Sequence, residues 1–351
     1  MAGPGGRRAL HRRDLQSEGR PLRRRADACA DDLAAARRRG GLLDDQAEPQ
    51  RGRRPRVIIV HASDLHFGKP HLPAVAEAIL RVVEEQDPDA VVVSGDLTQR
   101  ARAGEYRAAR GFLARLAPRP LVVTAGNHDV PLYRVWERIF APYRKYRTYI
   151  GDRLDTVLDV GRAEDAEALS ARAPAPANGP AGTPTRPGAR FVALNSSAPH
   201  TAIVNGRLTE AQLRFAEGAF AGARPHDLRV LVVHHNLLGP LDGEPINLLP
   251  GARHILRAVE EWGVDLVLSG HIHRSDLGLS RCAAGAREEG VPVVTAGTAS
   301  SNRGRGPEEG RNSLNLVRVQ QSSLEVMVYL YSEDSGRFMP AKSRRYVRRT
   351  G

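Results

Sequence analysis

With 351 residues, 41% of them hydrophobic, the chain can bury a full core as one large domain or two smaller ones. Its longest apolar runs, such as "AVVVS" and "VLVV", are strand-sized and fall short of the roughly 20 residues a membrane-spanning helix requires. The net charge of +12 is unevenly placed: residues 1–56 hold 15 Arg against 8 Asp or Glu, leaving only +5 for the other 295 residues, weak support for a nucleic-acid surface.

The opening segment, 1–55, carries "RRR" at 23–25 and 37–39 with few large apolar residues, and reads as a disordered Arg-rich extension. A basic arm for nucleic acid or acidic lipid is the alternative. It contains no continuous apolar stretch of the kind a secretory signal has, so a cytoplasmic location is expected. Cys29 and Cys282 form no CxxC pair, so neither a disulfide framework nor a zinc knuckle is expected.

From Arg56 the texture changes to aliphatic runs alternating with amphipathic stretches. "RVIIV" predicts a strand, "LPAVAEAILRVVEEQ" a helix, "DAVVVSGD" a strand, "GEYRAARGFLARLA" a helix and "PLVVTAGNHD" a strand. A helical "LYRVWERIFAPYRKY" follows, then a Pro/Ala/Gly-rich stretch at 162–190 that reads as a flexible insertion. The pattern resumes with strand "RFVALNSS", helix "LTEAQLRFAEGAFAGA", strand "LRVLVVHHN", helix "ARHILRAVEEWG" and strand "VDLVLSGHIH". Three further strands, "VPVVTAGTASS", "NSLNLVRV" and "LEVMVYLYS", lack intervening helices and suit a second sheet or its edge. The alternation predicts an α/β fold of βαβ units with a largely parallel sheet. Residues 56–332 are taken as the domain and 333–351 as a basic C-terminal tail.

Five strand ends carry one kind of chemistry: "SDLHFG" (Asp64, His66), "SGD" (Asp96), "GNHD" (Asn127, His128, Asp129), "VVHHN" (His234, His235) and "GHIH" (His271, His273). The carboxyl ends of parallel strands line one edge, where ligands bind. Carboxylates, imidazoles and an amide suit borderline or hard cations such as Mn, Fe or Zn. Glycine precedes a candidate ligand in "GD", "GN" and "GH", where a missing side chain permits close backbone approach. His271 and His273, two apart in what reads as extended chain, would point the same way.

In these blocks the sequence resembles the calcineurin-like metallophosphoesterase superfamily, whose signature is D-x-H, GD, GNH[DE], H and GHxH in that order. Within it, the "SDLHFG", "GDLT" and "GNHD" forms look most like bacterial class III cyclic nucleotide phosphodiesterases. The protein-phosphatase forms GD-x-x-DRG and GNHE are not matched. The resemblance implies a four-layer αββα sandwich with its metal site at strand carboxyl ends. It implies two divalent or trivalent ions (Mn²⁺, Fe²⁺/Fe³⁺ or Zn²⁺): Asp64, His66 and His273 on one, Asn127, His234 and His271 on the other, Asp96 on both. A hydroxide shared by the ions would attack a phosphodiester. His128 would contact phosphate and protonate the leaving oxygen, with Asp129 orienting its ring or capping the next helix.

The expected substrate is a small phosphodiester, best a 3′,5′-cyclic nucleotide opened to the 5′-nucleotide. A glycerophosphodiester, nucleic acid or a non-catalytic metal-binding scaffold are the alternatives, and a homodimer is allowed. His235 is open between a role behind the ligands and a substrate contact. Asn236 stands where many relatives have proline. Asn195 lines the cleft or is structural, and His61, His71, His200 and His254 are read as structural or surface residues.

Overall fold

A computed structural model describes residues 57–161, 188–201, 204–280 and 290–348. The extension at 1–55, most of the 162–190 insertion and both cysteines lie outside the described residues.

Two six-stranded mixed sheets form the centre. The first has the order β12-β11-β10-β1-β2-β3, the second β4-β5-β6-β7-β9-β8. β1 (Val57–Ala62), β2 (Ala90–Val93) and β3 (Leu121–Val123) run parallel, as do β5 (Ala189–Ala193), β6 (Leu228–Val232), β7 (Leu266–Ser269) and β9 (Pro292–Thr295). β10 (Ser313–Val319), β11 (Ser323–Ser332) and β12 (Arg337–Val347) complete the first sheet antiparallel. β4 (Thr156–Val160) and β8 (Asp276–Leu279) close the edges of the second.

The side-chain period of two sorts these strands between three apolar layers. Val57 and Ile59 of β1, Val92 of β2 and Val317 of β10 meet Phe191, Val230, Leu266 and Val294 of the other sheet. The alternate residues Ile58, Val60, Val91 and Val93 pack under α1 (Pro73–Gln86) and α2 (Ala103–Leu116). On the far side Val192, Leu231, Val267 and Val293 pack under α5 (Glu210–Ala221) and α6 (Ala252–Glu261). The result is the expected αββα sandwich, whose central strands are continuous aliphatic runs because both faces are covered. Among the described residues no helix is long and apolar enough to cross a membrane.

Three sequence expectations are corrected. The region 333–351 is not a basic tail: 337–347 is β12, paired with β11 along its length. Its Pro340 sits at a register shift on the sheet edge, where a missing N–H costs little. The helix expected across 132–146 is two short ones, α3 (Val135–Phe140) and α4 (Arg144–Tyr149). Pro142 lies between them and cannot continue a helix. The insertion also ends earlier than 190, because β5 begins at Ala189.

Candidate metal centre

The seven candidate ligands converge from both sheets at the carboxyl ends of β1, β2, β3, β6 and β7. Six are buried; His271 is half-buried. Asp64, His66, Asp96 and His273 each offer an atom within 4.8 Å of the others. His66 Nε2 lies 3.1 Å from His273 Nε2 and 3.6 Å from Asp64 Oδ1, and His273 Nε2 lies 3.2 Å from Asp64 Oδ1. Beside them, Asn127 Oδ1 lies 3.2 Å from His234 Nε2 and 3.1 Å from His271 Nδ1. Asp96 Oδ2 stands between the groups, 3.7 Å from His66 Nε2 and 3.5 Å from His234 Nε2.

These separations fit a metal. Atoms bound at about 2.1 Å to one ion sit roughly 3–3.5 Å apart in tetrahedral or octahedral geometry. Asp64 Oδ1 is buried with no hydrogen-bond partner among the described residues, while Oδ2 accepts the His271 N–H at 3.0 Å. Asp96 has the same division: Oδ1 accepts the His128 N–H at 2.8 Å, leaving Oδ2 for the shared position. His234 donates Nδ1–H to the Ser94 carbonyl at 2.7 Å, which aims Nε2 at the centre.

The electrostatics suit a cation. Burial opposes ionisation of Asp64, yet His273 and His66 hold its carboxyl well below the usual range; His234 and His128 do the same for Asp96. Burial lowers His66 and His271 to about 4, keeping them as the neutral imidazoles that ligate metals. For His234 the Asp96 and Asp64 charges outweigh burial and raise it to about 9, so a proton there answers the buried negative charge.

The backbone is bent to this task. Asp64, His66, Asp96, His271 and His273 all have φ between 47° and 77°, in the left-handed region that costs non-glycine residues energy and clusters at functional sites. The expectation that His271 and His273 project from extended chain is therefore wrong: β7 ends at Ser269 and both residues lie on a turn beyond it. Glycine is needed next to the ligands for close approach. A Cβ on Gly126 would lie 2.1 Å from Asp96 Oδ1, and one on Gly270 would lie 1.9 Å from Ser63 Oγ.

His128 stands beside the ligands, its ring edge-on to His66 at 4.8 Å. Asp129 does not orient that ring, nor does it cap α3, which begins at Val135. His128 Nδ1 donates instead to the Gln99 carbonyl at 2.8 Å. Asp129 accepts from the backbone N–H groups of Leu97, Thr98 and Gly126 and from Thr98 Oγ1, all within 3.1 Å. Burial and the Asp96 charge push Asp129 up to about 7 against these bonds. Its work is to tie the loop after Asp96 to the loop bearing Asn127. Asp129→Ala is expected to lower melting temperature and metal content together, since each orphaned donor costs about 1–3 kcal/mol. Calorimetry and elemental analysis check this; full stability with only a slower rate would restore the ring-orienting role.

His235 Nδ1 lies 2.8 Å from Ser196 Oγ, and its ring packs 4.6 Å from His271, behind the ligands. Asn236 points away to Thr295 Oγ1 at 3.3 Å. Asn195 Oδ1 accepts the Ser197 N–H in a local turn. His61 is buried between Ser94 and Asn315, His71 bonds the Leu65 carbonyl, and His200 and His254 are exposed. Sequence reasoning missed Gln99 and Arg303. Arg303 Nη1 lies 3.3 Å from His128 Nε2, and nothing in the sequence separates it from the other Lys and Arg residues.

The family model for calcineurin-like phosphoesterases matches residues 57–275. The chain belongs to the calcineurin-like phosphoesterase family. It is accordingly a metal-dependent phosphoester hydrolase. It is 26% identical over 321 residues to a cAMP/cGMP dual specificity phosphodiesterase of Mycobacterium tuberculosis, covering 85% of this chain and 88% of that one. A probable cyclic nucleotide phosphodiesterase of Synechococcus is 26% identical over 233 residues, 64% of this chain and 76% of that one. Among solved structures, a dimetal phosphatase from Danio rerio shares the fold with a TM-score of 0.54 at 12% identity, covering 84% of this chain and 100% of that one.

Proposed function

We propose that this calcineurin-like phosphoesterase hydrolyses a small phosphodiester, and that its substrate is a 3′,5′-cyclic nucleotide opened to the 5′-nucleotide. The observation that carries the reading is the placing of two donor groups on either side of Asp96 Oδ2. The names of the curated relatives support the cyclic nucleotide. Asp64, His66 and His273 would hold one ion, Asn127, His234 and His271 the other, and Asp96 both. When bound, two such ions would supply charge to offset that of a phosphodiester and would lower the pKa of water for in-line attack on phosphorus.

The chain's own residues prepare this chemistry. The Asp64 and Asp96 carboxylates stay ionised, the neutral His66 and His271 imidazoles present lone pairs, and His234, whose Nδ1–H is held by the Ser94 carbonyl, would give up its Nε2 proton to a bound cation. The Gln99 carbonyl holds His128 Nδ1–H, so proton movement falls to Nε2, the nitrogen on the Arg303 side. As the P–O3′ bond breaks, a proton carried at Nε2 passes to O3′ and a 5′-phosphate remains.

The test is hydrolysis of 3′,5′-cyclic AMP by chelator-stripped protein with Mn²⁺ restored, beside bis-p-nitrophenyl phosphate as a generic diester. Turnover of both, giving 5′-AMP, is expected. Cleavage of the generic diester alone would move the substrate elsewhere. Inactivity on both with Mn²⁺, Fe²⁺ and Zn²⁺ would overturn the reading in favour of a binding scaffold.

A further inference from the structure

We propose that Arg303 grips the phosphate of the substrate from the His128 side of the centre, its guanidinium held there by Gln99. Arg303 lies beyond β9, outside the motif blocks and outside the residues the family model matches. Its Nη1 donates to Gln99 Oε1 at 3.1 Å and lies 3.3 Å from His128 Nε2, whose ring touches His66. Gln99 therefore holds both residues, His128 by its backbone carbonyl and Arg303 by its side chain.

The charge of Arg303 has no partner of its own. Arg190, Arg274 and Arg348 each meet a carboxylate, at 2.7, 2.6 and 3.4 Å respectively. Among the described residues none lies within ion-pair distance of Arg303, although the guanidinium is half-buried. Burial lowers its pKa, opposed by the more distant charges of Asp96 and Asp64. A partly desolvated guanidinium without a carboxylate, next to a centre that handles phosphoesters, is a preformed anion site. Its planar fork matches two phosphate oxygens at once, which an ammonium cannot.

The segment bearing it is fixed to the ligand loops on both sides. Ala299 N–H donates to the Ser63 carbonyl at 2.9 Å, Thr298 Oγ1 to the Asp64 carbonyl at 2.8 Å and Asn302 N–H to the Pro70 carbonyl at 2.9 Å. Beyond Arg303, Arg305 N–H donates to the His273 carbonyl at 3.2 Å. Donors positioned in advance stabilise developing charge without reorganisation at the moment of reaction. The side chain would hold the ground-state diester and gain further as negative charge grows on the phosphoryl oxygens.

The inference rests on phosphoester binding at this centre, not on the cyclic nucleotide assignment. The test compares wild type with Arg303→Ala, Arg303→Lys and Gln99→Ala, each loaded with Mn²⁺, and reads metal content, affinity for inorganic phosphate by calorimetry and rates on bis-p-nitrophenyl phosphate. Arg303→Ala is expected to keep its metal and weaken phosphate binding by roughly 10- to 100-fold. Arg303→Lys should recover part of the affinity, and added guanidinium ion should restore part of the Arg303→Ala rate. Gln99→Ala should weaken phosphate binding less. If Arg303→Ala loses metal, the Arg303→Lys comparison carries the result. Equal phosphate affinity in wild type and both Arg303 variants, including no binding in any, would overturn the proposal. Failure of cyclic AMP alone, with the phosphate difference intact, would instead count against the nucleotide substrate.

Discussion

Asp96→Asn is expected to abolish turnover and to deplete metal from both halves of the centre. The carboxylate is the only candidate ligand that faces both donor groups: Oδ2 lies 3.7 Å from His66 Nε2 and 3.5 Å from His234 Nε2. Its other oxygen is already committed to the His128 N–H. An amide of the same shape can accept that bond only by turning its NH₂ into the shared position, where it has no lone pair for a cation. The charge that raises His234 and attracts the ions disappears as well. The loss should exceed the roughly 10- to 100-fold that follows removal of a residue one bond further from a metal. Elemental analysis and initial rates on bis-p-nitrophenyl phosphate measure it, and wild-type turnover with full metal content would contradict a shared ligand.

His128→Ala should behave in the opposite way. The ring approaches His66 and Arg303 but offers no atom to either donor group, so metal content should stay at the wild-type value. The backbone N–H that anchors Asp96 survives the substitution. What disappears is the nitrogen placed to carry a proton to the leaving oxygen, worth typically 10²–10⁴-fold in rate. The deficit should shrink on bis-p-nitrophenyl phosphate, whose good leaving group needs little protonation, relative to a substrate with an alkoxide leaving group. Loss of metal from His128→Ala would show the ring to be a ligand.

The contrast between these variants reflects what the sequence could carry. The candidate ligands and their order were legible because each candidate side chain follows an aliphatic run that reads as a buried strand, as with Ala90–Val93 before Asp96. The αββα layering was implied by the family resemblance, the buried βαβ strands by their continuous aliphatic runs, and α1, α2, α5 and α6 by helical periodicity. Elements without that contrast escaped: β4 and β8 are short edge strands, and β12 is largely exposed and charged, so its side chains resemble a solvated tail. Only hydrogen bonding to β11 reveals it.

Within the centre, residue identity was readable and backbone conformation was not. His271 and His273 occupy left-handed φ values that a histidine adopts only where surrounding structure imposes them. The sequence places Asp129 beside His128, whereas the fold turns its carboxylate to the N–H groups of Leu97 and Thr98, more than thirty residues upstream in the chain. Arg303 and Gln99 carry no motif at all. Arg303 meets His128 because the segment after β9 is hydrogen-bonded to the loops after β1 and β7, and Gln99 meets it because β2 and β3 are neighbours.

The most direct measurement is a crystal structure of the Mn²⁺-loaded protein with anomalous scattering recorded near the manganese absorption edge. Two peaks are expected, about 3.5–4 Å apart as in other two-metal sites. One should be enclosed by Asp64, His66 and His273, the other by Asn127, His234 and His271, with Asp96 touching both. A single peak on one side of Asp96, or none with the ligands in the same positions, would contradict the two-ion centre.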